Sequence, residues 1–567
     1  MKPAVLFSCR RLVSFTSVLM TFFLAVSVLN AETSPKTLAE TPRKMFIELG
    51  WDIPSTQFMR DNYRTMEENA PFSGVIYRIQ PEGREWKESS EWMFSAEPWT
   101  REDYASCITD LKACDFKEFT HNFIRMNFSP ASIAWDDDAG WEILAEKAAI
   151  CAWVAKQSGS KGLAPDFESY GAAMFRWDPA KQNGRSFAEA KALARKRGEQ
   201  FIRAIASEYP DATILALWLN SINAAAGKSR DPDSILVSAG YGLLPAFING
   251  MIAGAPEEMV LVDGCETGYY IEGEAFKNHA LDMVLWTGAC MNLVEPELRQ
   301  KYRTQVQCGF GIYLDMYTNP EGSVYYRGPK KDGGSRLDRL CGNLEAAFSA
   351  ADQYVWIYGE KNRWWNVPEV QNPEKPCVHW ETALPGLSDR IQMLAEPEKA
   401  LEKIAQRVRE GKEGENCLKN PSFEDVKDGN PAEWNFWQDE KEPTGRHFAD
   451  TQGENGIVSF EKLASGCVLQ FVDVQPGERL FFQVRVRTGG DAQAKVNISW
   501  QDEKGWVWAH TQYFPFDPNE KGEWKTIRGC VTTPEGISKM GMILGASHQN
   551  APEDSVSYDA AEVYRLK

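Results

Sequence analysis

Eight short β-rich apolar runs recur between residues 45 and 360, and their spacing constrains the fold more than any other feature. They are MFIEL (45–49), GVIYRI (74–79), HNFIRMNF (121–128), KGLAPDFE (161–168), TILALW (213–218), MVLVDGCE (259–266), GFGIYLDMY (309–317) and QYVWIYGE (353–360). Amphipathic stretches such as 187–209 separate them, at intervals of roughly 30 to 50 residues. Strands alternating with helices predict a parallel sheet, and eight such units predict a (β/α)8 TIM-type barrel. A doubly wound open sheet is the alternative. It fits less well because GWDIPS follows the first run, placing Trp51 where a phosphate turn needs glycine. An amphipathic stretch at 388–411 would close the barrel, and the polar GKEGEN (411–416) reads as a linker. Beyond it the period changes. Alternating segments such as RLFFQVRVRT (479–488) and AKVNISWQ (494–501), parted by Gly, Pro and Asp, predict an all-β jelly-roll sandwich over 417–567.

Residues 1–31 place Lys2, Arg10 and Arg11 before an apolar run and end in Asn30-Ala31, the order of a secretory signal peptide cleaved after Ala31. An uncleaved membrane anchor is the competing reading. With cleavage, residues 32–410 would form the barrel of a secreted or periplasmic protein not attached to a membrane. The formal net charge of −18 argues against a nucleic-acid partner, since phosphate is bound through Lys and Arg. Of twelve Cys, most lie in apolar segments and read as buried free thiols; bridges such as Cys107 with Cys114 or Cys417 with Cys530 are not fixed by the sequence.

In the tail, NPSFED (420–425) with PAEWNFW (431–437), VDVQPGERLFFQVRVR (472–487), GEWKTIRGCVTTPEG (522–536) and SVSYDAAEVYRL (555–566) succeed one another. Together they resemble the family-four and family-nine carbohydrate-binding modules, which are galactose-binding-like β-sandwiches. That resemblance implies a glycan partner and a structural calcium held partly by Glu424 and Asp559. WVW (506–508) would place Trp506 and Trp508 on one strand face as a flat binding strip.

In a barrel of this kind the site lies at the C-terminal ends of the strands. Asp166 and Glu168 end the fourth run, Asp263 and Glu266 the sixth, with Asp315 in the seventh, Glu360 in the eighth and Asp52 just past the first. Glycoside hydrolysis needs one carboxyl group to protonate the leaving oxygen and a second as nucleophile or base. Alternation puts Asp166 and Glu168 on one strand face, where like charge raises one proton affinity. Glu168 is the expected acid/base, with Glu266, Asp263, Glu360 and Asp315 as nucleophile or base. The DxE pattern is similar to chitinase-like and lysozyme-like barrel hydrolases, although GLAPDFE lacks the longer acidic run of the chitinase motif. Trp51, Tyr170, Trp218, Tyr269, Tyr270, Tyr317, Trp364 and Trp365 would stack on sugar C–H faces.

No GxSxG, HExxH or GxxxxGK[ST] motif is present, and the six His form no pair at helical ligand spacing. The expectation is therefore an exported glycoside hydrolase acting on a poly- or oligosaccharide, with no catalytic cofactor. A non-catalytic binding or scaffold protein, and a polysaccharide lyase or esterase, stand as rivals.

Overall fold

The computed structural model describes residues 42–168, 170–330, 334–365, 377–439, 446–450 and 456–566. The expected signal segment 1–31 lies outside them. Nine parallel strands form one sheet: β1 Met45–Gly50, β2 Gly74–Tyr77, β3 Phe123–Asn127, β4 Gly162–Asp166, β5 Thr213–Ala216, β6 Val260–Asp263, β7 Val306–Cys308, β8 Phe310–Tyr313 and β9 Tyr354–Gly359. Their order is β7-β6-β5-β4-β3-β2-β1-β9-β8. The two ends of that series are one residue apart in the chain. Strand β7 pairs with β6, the Gly309 N–H then donates to Asp263 O (2.9 Å), and β8 pairs with β9. The expected count of eight strands thus becomes nine, because the seventh run starts earlier, at Val306, and is parted at Gly309. A Cβ there would lie 2.9 Å from Tyr354 O and 3.0 Å from a Val262 methyl, so the crossing admits only glycine.

The strands read as unbroken apolar runs because helices cover the outer face while side chains fill the inside; every residue of β1, β4 and β5 is buried. Helix ends follow local chemistry. Asp137 caps Asp138–Ser158, which stops at Gly159 (φ 77°), and Ser186 with Glu189 forms a capping box on Phe187–Glu208. Phe94, Phe128, Phe175, Phe201 and Phe247 pack together beneath these helices. Gly162 on β4 pairs with Thr213 on β5. An added Cβ would lie 1.9 Å from Thr213 O, a backbone atom. Gly162→Ala is expected to cost about 1–3 kcal/mol, or more if the pairing shifts, seen as a lowered thermal-denaturation midpoint.

The C-terminal region is antiparallel and all-β. A six-stranded sheet runs Asn435–Gln438, Ser465–Asp473, Lys539–Ser547, Gln493–Asp502, Gly505–Trp506, with Gln512–Pro515 also on Gln493–Asp502. The five-stranded sheet runs Arg446–Asp450, Ile457–Glu461, Ser555–Arg565, Arg479–Gly489, Lys525–Thr532. Val468, Val472, Val484, Val486, Val496 and Ile498 alternate inward to make its core.

This region also touches the helix Pro397–Arg409. Ile404, Ala405 and Val408 pack on Phe481, while Glu402 pairs with Arg528. Within 411–416, Glu413 is buried and bonded to Arg407 (2.5 Å), so the polar segment is held in place. Among the described residues all eleven cysteines are free, Cys107, Cys114, Cys417 and Cys530 included. No described helix is long and apolar enough to cross a membrane.

Candidate active site

A cavity of about 540 Å³ opens at the C-terminal ends of the barrel strands. Four of the expected carboxylates line it: Asp166 and Glu168 after β4, Glu266 after β6 and Glu360 after β9. Tyr170, Tyr269 and Tyr270 of the expected aromatics line it as well. Trp51 is exposed beside it and donates its indole N–H to the Tyr358 hydroxyl (2.8 Å).

Asp166 forms the floor. One oxygen accepts Arg125 Nη2 at 2.6 Å; the other accepts the backbone N–H of Glu168 at 2.9 Å. Arg125 arises from β3, level with Ala164 on β4, and its Nε lies 3.5 Å from buried Glu91. Glu168 is half-buried and takes a hydrogen bond from the Tyr170 hydroxyl (2.7 Å). Burial raises its proton affinity and the Tyr170 bond partly offsets this.

Glu266 is delivered by a strained turn. Cys265, just before it, is left-handed at φ 37°, ψ 68°, a conformation that costs a non-glycine residue free energy. Gly264 N–H bonds Ala216 O and Glu266 N–H bonds Leu217 O, tying the turn to the end of β5. Burial, then the negative charges of Asp166 and Glu168, push the Glu266 carboxyl up to about 8. Glu360 takes a hydrogen bond from Tyr358 (3.1 Å).

The other expected carboxylates do not reach the cavity. Asp263 is fully buried and accepts Leu219 N–H (2.9 Å), Ser221 N–H (2.9 Å), Ser221 O–H (2.5 Å) and Cys265 N–H (3.3 Å). Asp315 accepts the backbone N–H groups of Glu360 (2.7 Å) and Lys361 (3.0 Å). Asp52 is buried under the loop after β9, where its carboxylate accepts Trp364 N–H (2.7 Å) and its carbonyl the Trp365 indole (2.7 Å). All three brace the loops that carry cavity residues.

Several expected sugar platforms are likewise core. Trp364 and Trp365 are buried, Trp364 edge-on to Phe72, because the Asp52 anchor draws their polar loop inward. Trp218 is buried against Tyr241, and Tyr317 is buried and bonded by Asn343. Residues that the sequence reading missed take their place: Tyr313, Tyr325, Tyr358 and Arg125 line the cavity, together with the fully buried Trp356. Gly311 makes room for the Trp356 ring, since a Cβ there would meet it at 2.5 Å. For Arg125 the signal was a charge inside an otherwise apolar strand run.

In the sandwich, Trp506 and Trp508 stack on each other, ring centroids 5.0 Å apart at 19°. The expected flat strip is therefore a stack. Trp506 rests on Phe471, and Trp508 remains 61% exposed because its residue leaves the strand for a 3₁₀ turn. Exposed Tyr513 lies on the outer face of the same sheet, paired with Asn497; exposed Trp437 pairs with Cys467 on that face. Of the pair expected to hold calcium, Asp559 is buried with one carboxylate oxygen unpartnered. Its other oxygen meets Arg485 at 2.9 Å, and Glu424 is exposed. Among the described residues no three His, Cys, Asp or Glu side chains converge for a metal.

No protein-family model matches the chain, and no curated protein does. The chain is similar over limited stretches to solved structures. The enzymatically active domain of bacteriophage CBA120 tailspike protein 4 is 12% identical over 38% of this chain and 26% of that one, with a TM-score of 0.22. TmCBM61, solved with β-1,4-galactotriose, is 19% identical over 27% of this chain and 99% of that one, TM-score 0.20. The MgGH51 α-L-arabinofuranosidase is 9% identical over 27% and 28%, TM-score 0.22. The chain thus spans about a quarter of the length of the tailspike domain and of the arabinofuranosidase.

Proposed function

We propose that the protein is an exported glycoside hydrolase acting on a poly- or oligosaccharide, freed of residues 1–31 after translocation. The observation that carries this reading is the convergence of Glu168 and Glu266 in one aromatic-lined cavity, with environments that separate their proton affinities. Glu266, neutral up to about pH 8, donates its proton to the glycosidic oxygen. Glu168, steadied by Tyr170, acts as nucleophile or as base toward water. This reverses the roles expected from DxE alone, because Glu266 is the acid whose proton affinity is raised further. Glu360 binds sugar hydroxyls with Tyr358, and the exposed rings of Trp51, Tyr170, Tyr270 and Tyr325 stack on the glycan at the cavity mouth.

The test is turnover of a panel of polysaccharides with product sizing, alongside Glu168→Gln and Glu266→Gln. Loss of turnover in both variants, without loss of fold, supports the reading. Full turnover in both refutes it, and products carrying an unsaturated, ultraviolet-absorbing sugar point to a lyase instead.

The sandwich would hold the enzyme on its polysaccharide. Trp508→Ala is expected to weaken binding of the responsive glycan by about 1 kcal/mol, roughly fivefold, with cavity chemistry on short oligosaccharides unchanged. Depletion assays on insoluble glycan would measure it.

A further inference from the structure

A charge cluster at the cavity floor supplies no reacting group in the reading above. Three side chains compose it: Glu91 and Asp166, both buried, and Arg125, whose side chain is 12% exposed. A buried ion pair seldom raises stability, since desolvation offsets its attraction. Its position is more informative. Arg125 reaches up from β3 into the cavity lining, and Asp166 is the residue from which the Glu168 backbone hangs.

We propose that Arg125 is a positioning residue for this site: braced by Glu91, it fixes Asp166, whose second oxygen holds the Glu168 N–H, and so sets Glu168 against Glu266. The proposal rests on the hydrolase reading for its catalytic consequence but not for its geometry. The chain of contacts is short and directional. Glu91 Oε1 faces Arg125 Nε at 3.5 Å, Arg125 Nη2 meets Asp166 Oδ2 at 2.6 Å, and Asp166 Oδ1 meets Glu168 N at 2.9 Å. Glu168 is otherwise held through its carboxylate by the exposed Tyr170 ring. Without the clamp the residue after β4 loses its backbone anchor.

The same cluster sets the local field. Glu266 is faced by Asp166 and Glu168 from the end of β4, by Arg125 from β3, by Tyr269 from its own turn and by Tyr241 from the segment before Leu244–Gly254. Removing the Arg125 cation leaves the anion of Glu266 less favoured, so its titration moves up. Removing the Asp166 anion relieves repulsion and frees Arg125 to stabilise Glu266, so its titration moves down. A residue that merely filled space would move neither.

The experiment uses the full chain and two readouts. Infrared pH titration follows the protonated carboxyl band assigned to Glu266 by its absence in Glu266→Gln; the second readout is the pH profile of kcat/KM on the responsive glycan. Arg125→Met is expected to raise the Glu266 midpoint and to lower kcat about 100-fold, the scale of an ångström-size misplacement, with KM little changed. Asp166→Asn is expected to lower the midpoint. Arg125→Lys should restore the titration yet not kcat, because an ammonium keeps the charge without the two-edged fork. If Arg125→Met fails to fold, Glu91→Gln removes the far brace and is expected to lower kcat alone, about tenfold. Unmoved midpoints in both Arg125→Met and Asp166→Asn would overturn the proposal, as would full kcat in Arg125→Lys. Shifted midpoints in a protein that cleaves no glycan would keep the clamp and remove the hydrolase reading.

Discussion

Glu266→Gln is expected to reduce kcat by 10²–10⁴-fold, about 2.7–5.5 kcal/mol of barrier, while leaving thermal stability near that of the parent. The amide keeps the side chain's shape on its strained turn after Cys265 but carries no transferable proton. In the parent, the acid must be protonated and Glu168 ionised. The Glu266 carboxyl is raised from 4.5 to about 8, so the proton is present below that pH and activity falls as pH rises through it. Burial also raises Glu168 above 4.5, so the acidic limb should lie above that value. Steady-state kcat/KM across pH 4–10 measures both limbs. An alkaline limb unchanged in Asp166→Asn, or substantial activity in Glu266→Gln, would remove Glu266 from the acid's role.

Asp263→Ala should give the opposite signature, a loss of about 3–5 kcal/mol of stability. Its carboxylate accepts four hydrogen bonds in a fully buried site, and its loss leaves the N–H groups of Leu219, Ser221 and Cys265 without their acceptor. Each such orphan costs about 1–3 kcal/mol. Asp263→Asn, which keeps one acceptor oxygen, should lose less. Chemical denaturation would measure the difference, and a wild-type midpoint in Asp263→Ala would contradict the bracing role. The two acids stand three residues apart at one strand end and are indistinguishable by pattern, yet these variants should separate a proton donor from a scaffold.

That pair shows how far the site was legible in the amino-acid order. Carboxylates at the ends of the fourth, sixth and eighth runs were legible, because a parallel strand buried on both faces ends where polar residues begin. Their division of labour was not. Cys265 turns left-handed and swings Glu266 into the cavity, whereas Asp263 remains in the strand and collects the N–H groups of the neighbouring loop. Trp364 and Trp365 sat in a polar stretch that reads as exposed. Asp52, more than 300 residues away in the chain, draws them into the core.

The spacing and period of the apolar runs determined, by themselves, a parallel strand-and-helix region followed by an antiparallel sandwich, since a period of two or of 3.6 is written in consecutive residues. The sequence did not disclose the parting of the seventh run at Gly309, because it depends on the close approach of Tyr354 and Val262. Nor did it disclose the Trp506–Trp508 stack or the clamp of Arg125. WVW reads as one strand face, but Trp508 leaves the strand and folds onto Trp506. Arg125 was visible in HNFIRMNF as a charge in an apolar run. Only the sheet register, which sets β3 beside β4, and the approach of Glu91 from a separate loop made it the support of the Glu168 backbone. Hydrogen bonds and ion pairs between distant segments act through distances of about 3 Å, and those distances exist only once the chain has closed.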